Sequence, residues 1–175
     1  DKTPVEFLYD LGVLGPKTLA AHCIHLTDHD IELLAKTDTR VVHCAGSNTK
    51  SGKGVCPVRD LKAAGVTVAV GTDGPSSGNT LDLFTQFRMI PLFQKTKYHD
   101  RSIFPAREVV EMGTMGGAYA LGAETEIGSI EPGKQADLVL VETESVNMFP
   151  IYNPCSALVY SATPSNVDRV WVGGR

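Results

Sequence analysis

Three short apolar strings constrain this chain more than any other feature: KTLAAHC at 17–23, TRVVHCA at 39–45 and VTVAVGTD at 66–73. They are apolar through their middles rather than alternating, which is the pattern of strands covered on both faces of a parallel sheet. Helical stretches separate them. In LTDHDIELLAKT, Thr27 and Asp28 can cap while Ile31, Leu33 and Leu34 make an apolar face. CPVRDLKAAG reads as a helix closed by Gly65. TPVEFLYDLGVL precedes the first strand, with Thr3 as N-cap and Pro4 at the first helical position, and a long helix from about Thr80 to Lys97 follows the third. Strands alternating with helices over short connections imply parallel pairing through right-handed crossovers. Either a doubly wound sheet or an arc of a (β/α)8 barrel satisfies that, and in both the ligand sits at the carboxyl ends of the strands.

Those ends are where the chemically capable side chains collect. The first strand ends at His22, with Cys23 and His25 beyond it. The second ends at His43 and Cys44, and the third at Asp73. An Asp followed by Gly also serves as a turn former or helix cap. Beside two rim histidines it gains a second reading, as a carboxylate that binds a divalent metal and accepts a proton from its water. His22 is the stronger histidine candidate. His25 and His43 either join the site or hydrogen-bond a loop, while His29 and His99 fall in surface contexts. The string GSNTKSGKG at 46–54 lacks the GxxxxGK[ST] pattern of a nucleotide loop. It reads instead as a loop over the substrate, with Ser47 and Asn48 as polar contacts. Ser76 and Ser77 either touch substrate or cap the next helix.

Composition narrows the function classes. The 175 residues carry a net charge of −4 without a block of like charge, which gives no footprint for nucleic acid or an anionic membrane. No run approaches the roughly 18 apolar residues of a membrane span. The four cysteines show no CxxC or other close zinc spacing and read as free thiols of a reducing, cytoplasmic compartment, although one bridge is compatible with the count. A Cys nucleophile beside the rim histidines is disfavoured, because small buried cysteines are common in strands.

Past residue 98 the pattern changes. PAREVVEMGTMGGAYALG reads as one helix rich in small residues, GSIEPGKQADLVLVE as a turn and strand, and SNVDRVWVGG as another strand. The tail is expected to form a small β structure distinct from the alternating part. Both ends read as cut from something longer: the chain opens on a helix and closes on a strand entering a Gly-Gly turn.

In combination, AAHCIHLTDHDIELLAKTDTRVVHCAGSNTKSGKG and GVTVAVGTDGPSSGNTLDLF resemble the amidohydrolase superfamily. The similar branch is the cytosine/guanine deaminase and chlorohydrolase-like group that includes methylthioadenosine/S-adenosylhomocysteine deaminases. GSIEPGKQADLVLVE resembles the segment by which such enzymes enter a second, β-sandwich domain. The resemblance implies an α/β fold: a C-terminal portion of a (β/α)8 TIM-type barrel, strands six to eight, over residues 1–124, with part of a β-sandwich over 125–175. It implies that Asp73 is the eighth-strand metal ligand and proton acceptor. It also implies that His22 hydrogen-bonds the hydrolytic water or donates to the tetrahedral adduct. His43, Asn48, Ser77 and His25 would lie near the substrate. The cofactor implied is one divalent metal of the zinc class, with iron or manganese as substitutes, serving to generate a hydroxide. A glutamate outside this chain would relay protons to the ring and the leaving ammonia.

The family's first-strand HxH and fifth-strand His with Glu are absent from these residues, so the chain alone is expected to be inactive. The implied substrate is a small purine, pteridine or related N-heterocycle, deaminated hydrolytically, in an enzyme of a kind that often self-associates. Two rivals remain: a dechlorinating or amide-bond hydrolase of the same superfamily, and a noncatalytic α/β piece that binds a small molecule or partner.

Overall fold

The computed structural model describes residues 1–175. Helix α1 spans Pro4–Asp10, and Thr3 caps it in a capping box with Glu6. Strand β1 (Leu19–Ala21) is followed by α2 (Asp28–Lys36), whose capping box joins Thr27 and Asp30. Asp30 is fully buried and also accepts from the Thr3 hydroxyl, so one carboxylate ties the starts of both helices together. Next come β2 (Arg40–His43), α3 (Ala45–Lys50), α4 (Val58–Ala63) and β3 (Val68–Val70). The three strands form one parallel sheet in the order β1-β2-β3, with Ala20 opposite Val41, and Val42 opposite Ala69.

Helices α5 (Pro75–Gly78), α6 (Leu83–Tyr98), α7 (Ala106–Gly113) and α8 (Met115–Leu121) follow. Strand β4 (Leu138–Val141) then pairs antiparallel with β5 (Val167–Trp171) in a separate two-stranded sheet. Between them lie the short helix α9 (Pro154–Ser156), a π-helical turn and a 3₁₀ turn. No helix is long and apolar enough to cross a membrane.

The core lies on one face of the parallel sheet. Val41 and Val68 enter it with Leu34 from α2, Leu61 from α4, Ile90 from α6 and Val109 from α7. Side chains alternate along a strand, so Val70 and His43 share that helix-covered face with Val68 and Val41. Phe87 of α6 faces Gly113, where an added Cβ would lie 2.2 Å from the phenyl Cε1. Gly113→Ala gains helix propensity of roughly 0.5–1 kcal/mol, but the overlap with a buried ring costs about 1–3 kcal/mol. The clash wins, and thermal unfolding of the full-length protein should show a lowered midpoint.

Four details differ from the sequence reading. GSNTKSGKG is not a loop throughout: Ala45–Lys50 is helical. Gly, Ser and Asn are weak helix formers, but Gln86, forty residues away on α6, accepts from the Gly46 N–H at 2.8 Å and pins the first turn. The small-residue helix is two helices, broken at Thr114, whose φ of −117° and ψ of −93° are not helical. The long helix starts at Leu83 because Asp82 accepts from the N–H groups of Phe84 and Thr85, and α5 stands apart before it. Strand β1 is not buried along its length, since it lies at the sheet edge with Leu19 42% exposed.

Candidate active site

The ladder continues one residue beyond both outer strands. His22 N–H donates to Val42 O, and Gly71 N–H donates to His43 O, each at 3.0 Å. Just past those bonds the chain turns sharply. His22 has φ +70°, Cys23 +45° and Asp73 +61°. Left-handed backbone is uncommon for residues with a Cβ and persists where the surroundings enforce it, often at functional sites. Here it aims two ionisable side chains at one another, with His22 Nε2 standing 3.7 Å from Asp73 Oδ2.

Helix α3 holds that pair through two consecutive residues. The Ser47 hydroxyl donates to Asp73 Oδ2 at 2.7 Å, and Asn48 Oδ1 lies 2.8 Å from His22 Nδ1. The other carboxylate oxygen of Asp73 accepts from the Gly74 N–H at 2.6 Å. The Ser47 and Gly74 bonds, with smaller help from Ser77 and His22, hold the Asp73 carboxyl below its ordinary value. Asp73 is therefore an anion at neutral pH. It remains partly open, with 27% of its side chain accessible beside a His22 that is 41% accessible.

The other expected site residues stand at different distances from this pair. Ser77 sits on α5, half-buried and within reach of Asp73. Asn48 is interior, 1% exposed. His25 is exposed beside Gly54, and no hydrogen bond ties it to Asp73 or His22. His43 is 1% exposed on the core face, and neither ring nitrogen has a hydrogen-bond partner. Sequence reasoning missed Gln86, which braces α3, because nothing at position 86 distinguishes it from any helical glutamine. A cavity of about 490 Å³ is lined by Val66, Thr67 and Met112 among others. It sits at the amino end of β3, away from Asp73.

Burial lowers the His43 imidazole to about 4, with His22 and Lys97 pushing the same way. A histidine in the unfolded chain takes up its proton near 6.5. Between those values the unfolded state binds a proton that the native state refuses, so stability falls as the pH drops from about 6.5 to about 4. At about 1.4 kcal/mol per pH unit the loss comes to about 3 kcal/mol over the window. His43→Asn should flatten that limb in denaturant titrations across pH, and an unchanged slope would remove His43 as its cause.

All four cysteines are free. Burial raises Cys23 to about 11 and moves Cys44 and Cys56 upward as well, so none of these three is a thiolate nucleophile at neutral pH. No group of three or more His, Cys, Asp or Glu side chains converges as a metal cage. Asp73 fits a divalent cation as a single ligand, being anionic, accessible and held in one orientation by Ser47 and Gly74.

Short parallel strands that present a carboxylate and an imidazole past their carboxyl ends make an α/β module with a candidate active site on its strand-end rim. The chain belongs to the amidohydrolase family, whose model matches residues 1–175. It is 46% identical over 173 residues to the 5'-deoxyadenosine deaminase of Methanothermobacter thermautotrophicus. It is 45% identical to the 5-methylthioadenosine/S-adenosylhomocysteine deaminase of Moorella thermoacetica. Each match covers 99% of this chain and 40% of the relative, so the chain spans about 40% of the length of these proteins. Among solved structures, an adenosine deaminase from Xanthomonas campestris with bound zinc superposes with a TM-score of 0.96 at 38% identity, over 99% of this chain and 40% of that one. The zinc complex of an atrazine chlorohydrolase from Arthrobacter aurescens gives 0.91 at 26% identity, over 98% of this chain and 38% of that one.

Proposed function

We propose that this chain is the C-terminal portion of a metal-dependent aminohydrolase that deaminates an adenosine-type nucleoside. In this reading residues 1–124 supply strands six to eight of a (β/α)8 barrel, and residues 125–175 supply part of a β-sandwich. The observation that carries the reading is the His22–Asp73 pair, 3.7 Å apart on the strand-end rim and bent into place by left-handed backbone at both residues. The names of the similar deaminases point to the substrate class.

A divalent cation of the zinc class, when bound, lowers the pKa of a water so that it attacks at neutral pH. Asp73 would hold that cation as one of its ligands, with the remaining ligands supplied from beyond this chain. Asp73 Oδ2 accepts a proton of the attacking water, and Ser47 and Gly74 keep the carboxylate fixed while it does so. His22 Nε2 faces the same space and hydrogen-bonds there. Overall, water adds at the ring carbon bearing the amine, ammonia leaves, and the water oxygen stays as the carbonyl. Ser77 borders the space on the Asp73 side. His43 acts from behind the rim as a packed neutral side chain.

Loss of chloride instead of ammonia is the second reading, supported by the likeness to the atrazine chlorohydrolase. Full-length protein incubated with 5'-methylthioadenosine, adenosine and a chlorinated triazine separates the two. Ammonia from the nucleosides is the expected result, and chloride release without ammonia would replace the first reading by the second.

A further inference from the structure

We propose that Asn48 is a positioning residue that holds His22 in its Nδ1–H tautomer and so leaves Nε2 a hydrogen-bond acceptor toward Asp73. The inference rests on the reading of His22 as a group of the reacting site. An amide oxygen accepts and never donates, so the 2.8 Å contact between Asn48 Oδ1 and His22 Nδ1 requires the proton on Nδ1. A neutral imidazole carries one such proton, and Nε2 is then bare.

The local geometry agrees with this assignment. Nε2 and Asp73 Oδ2 face each other across 3.7 Å, too far for a direct hydrogen bond and with an acceptor on each side. A water about 2.8 Å from each would bridge them by donating one O–H to the carboxylate and the other to the imidazole. Both of its hydrogens are then committed, and its lone pairs turn away from the pair toward a substrate carbon. His22 thus orients the nucleophile in the resting state, the first of the two roles that the family resemblance implies for it.

Asn48 suits that task and no substrate contact. It is 1% exposed, on a helix anchored at Gly46 by Gln86 and joined to Asp73 through the neighbouring Ser47. A Cβ at Gly46 would fall 2.8 Å from Gln86 Nε2, so α3 sits tightly against α6. One side of the amide is unused, since Nδ2 has no partner. Turned over, the amide would offer His22 a donor and force the proton onto Nε2, so the tautomer is the decisive observable.

The test is long-range proton–nitrogen NMR on full-length protein labelled with 15N-histidine, at a pH where the imidazole is neutral, with His22→Gln assigning the signals. The wild type should show a protonated Nδ1 and a bare Nε2. Asn48→Asp keeps the acceptor and should keep that pattern, whereas Asn48→Leu should lose it. In turnover, Asn48→Leu should lose about 10–100-fold, the scale for removing the partner behind an active-site histidine. The loss should fall on kcat rather than KM, with Asn48→Asp recovering most of it. A wild-type spectrum with the proton on Nε2 overturns the inference, even if neither variant folds, and so does a pattern unchanged in Asn48→Leu. Absence of deamination by a wild type that shows the Nδ1–H pattern overturns the proposed function and leaves the positioning role standing.

Discussion

Asp73→Asn is expected to abolish turnover of the full-length enzyme while leaving it folded. Asparagine has nearly the same shape but no charge, so in the proposed reading one ligand to the cation and the proton acceptor disappear together. General-base assistance alone contributes about 10²–10⁴-fold, and loss of the ligand adds to that, so kcat should drop by about 10³-fold or more. The amide meets the Ser47 hydroxyl on one side and the Gly74 N–H on the other. Its oxygen can keep the Gly74 bond while its NH2 group donates to the Ser47 hydroxyl, which turns to accept, so the side chain stays in place and the charge alone is lost. Circular dichroism should match the wild type, because Asp73 lies on the accessible rim and outside the apolar core. Near-normal turnover in this variant would remove Asp73 from the mechanism.

His22→Ala should be slower by roughly 10²-fold or more, the scale of one lost hydrogen-bonding group that acts at the transition state. It leaves Asp73 with its Ser47 and Gly74 partners, so metal content should survive while kcat falls. That separation distinguishes the two variants: Asp73→Asn loses both metal and rate, and His22→Ala loses rate. Steady-state kinetics with metal analysis reads both. A His22→Ala enzyme that keeps wild-type kcat would confine His22 to a structural part in the turn after β1.

Much of this was legible in the residues. The capping signals at Thr3 with Pro4, and at Thr27, mark the starts of α1 and α2 where they occur. The three apolar strings give the parallel sheet in sequence order. His22 and Asp73 stood out as candidates because each closes an apolar strand at its carboxyl end, and the structure brings the two to 3.7 Å.

What stayed hidden has physical reasons. The strand around Val41 is apolar on both faces, so no alternation in the sequence tells which face His43 takes. The register with Val70 puts it on the core side. The helix at Ala45–Lys50 depends on Gln86, a contact across forty residues that local propensity cannot register. The contacts of Ser47 and Asn48 follow from that helix, which sets the first against Asp73 and the second against His22, a placement that a loop reading could not supply.

The most direct test of the central claim is a zinc titration of metal-free, full-length protein that follows ammonia release from 5'-methylthioadenosine. The account predicts no turnover without metal and a rise to a plateau at one metal per chain. Full turnover in metal-free protein, or none at any metal content, would contradict it.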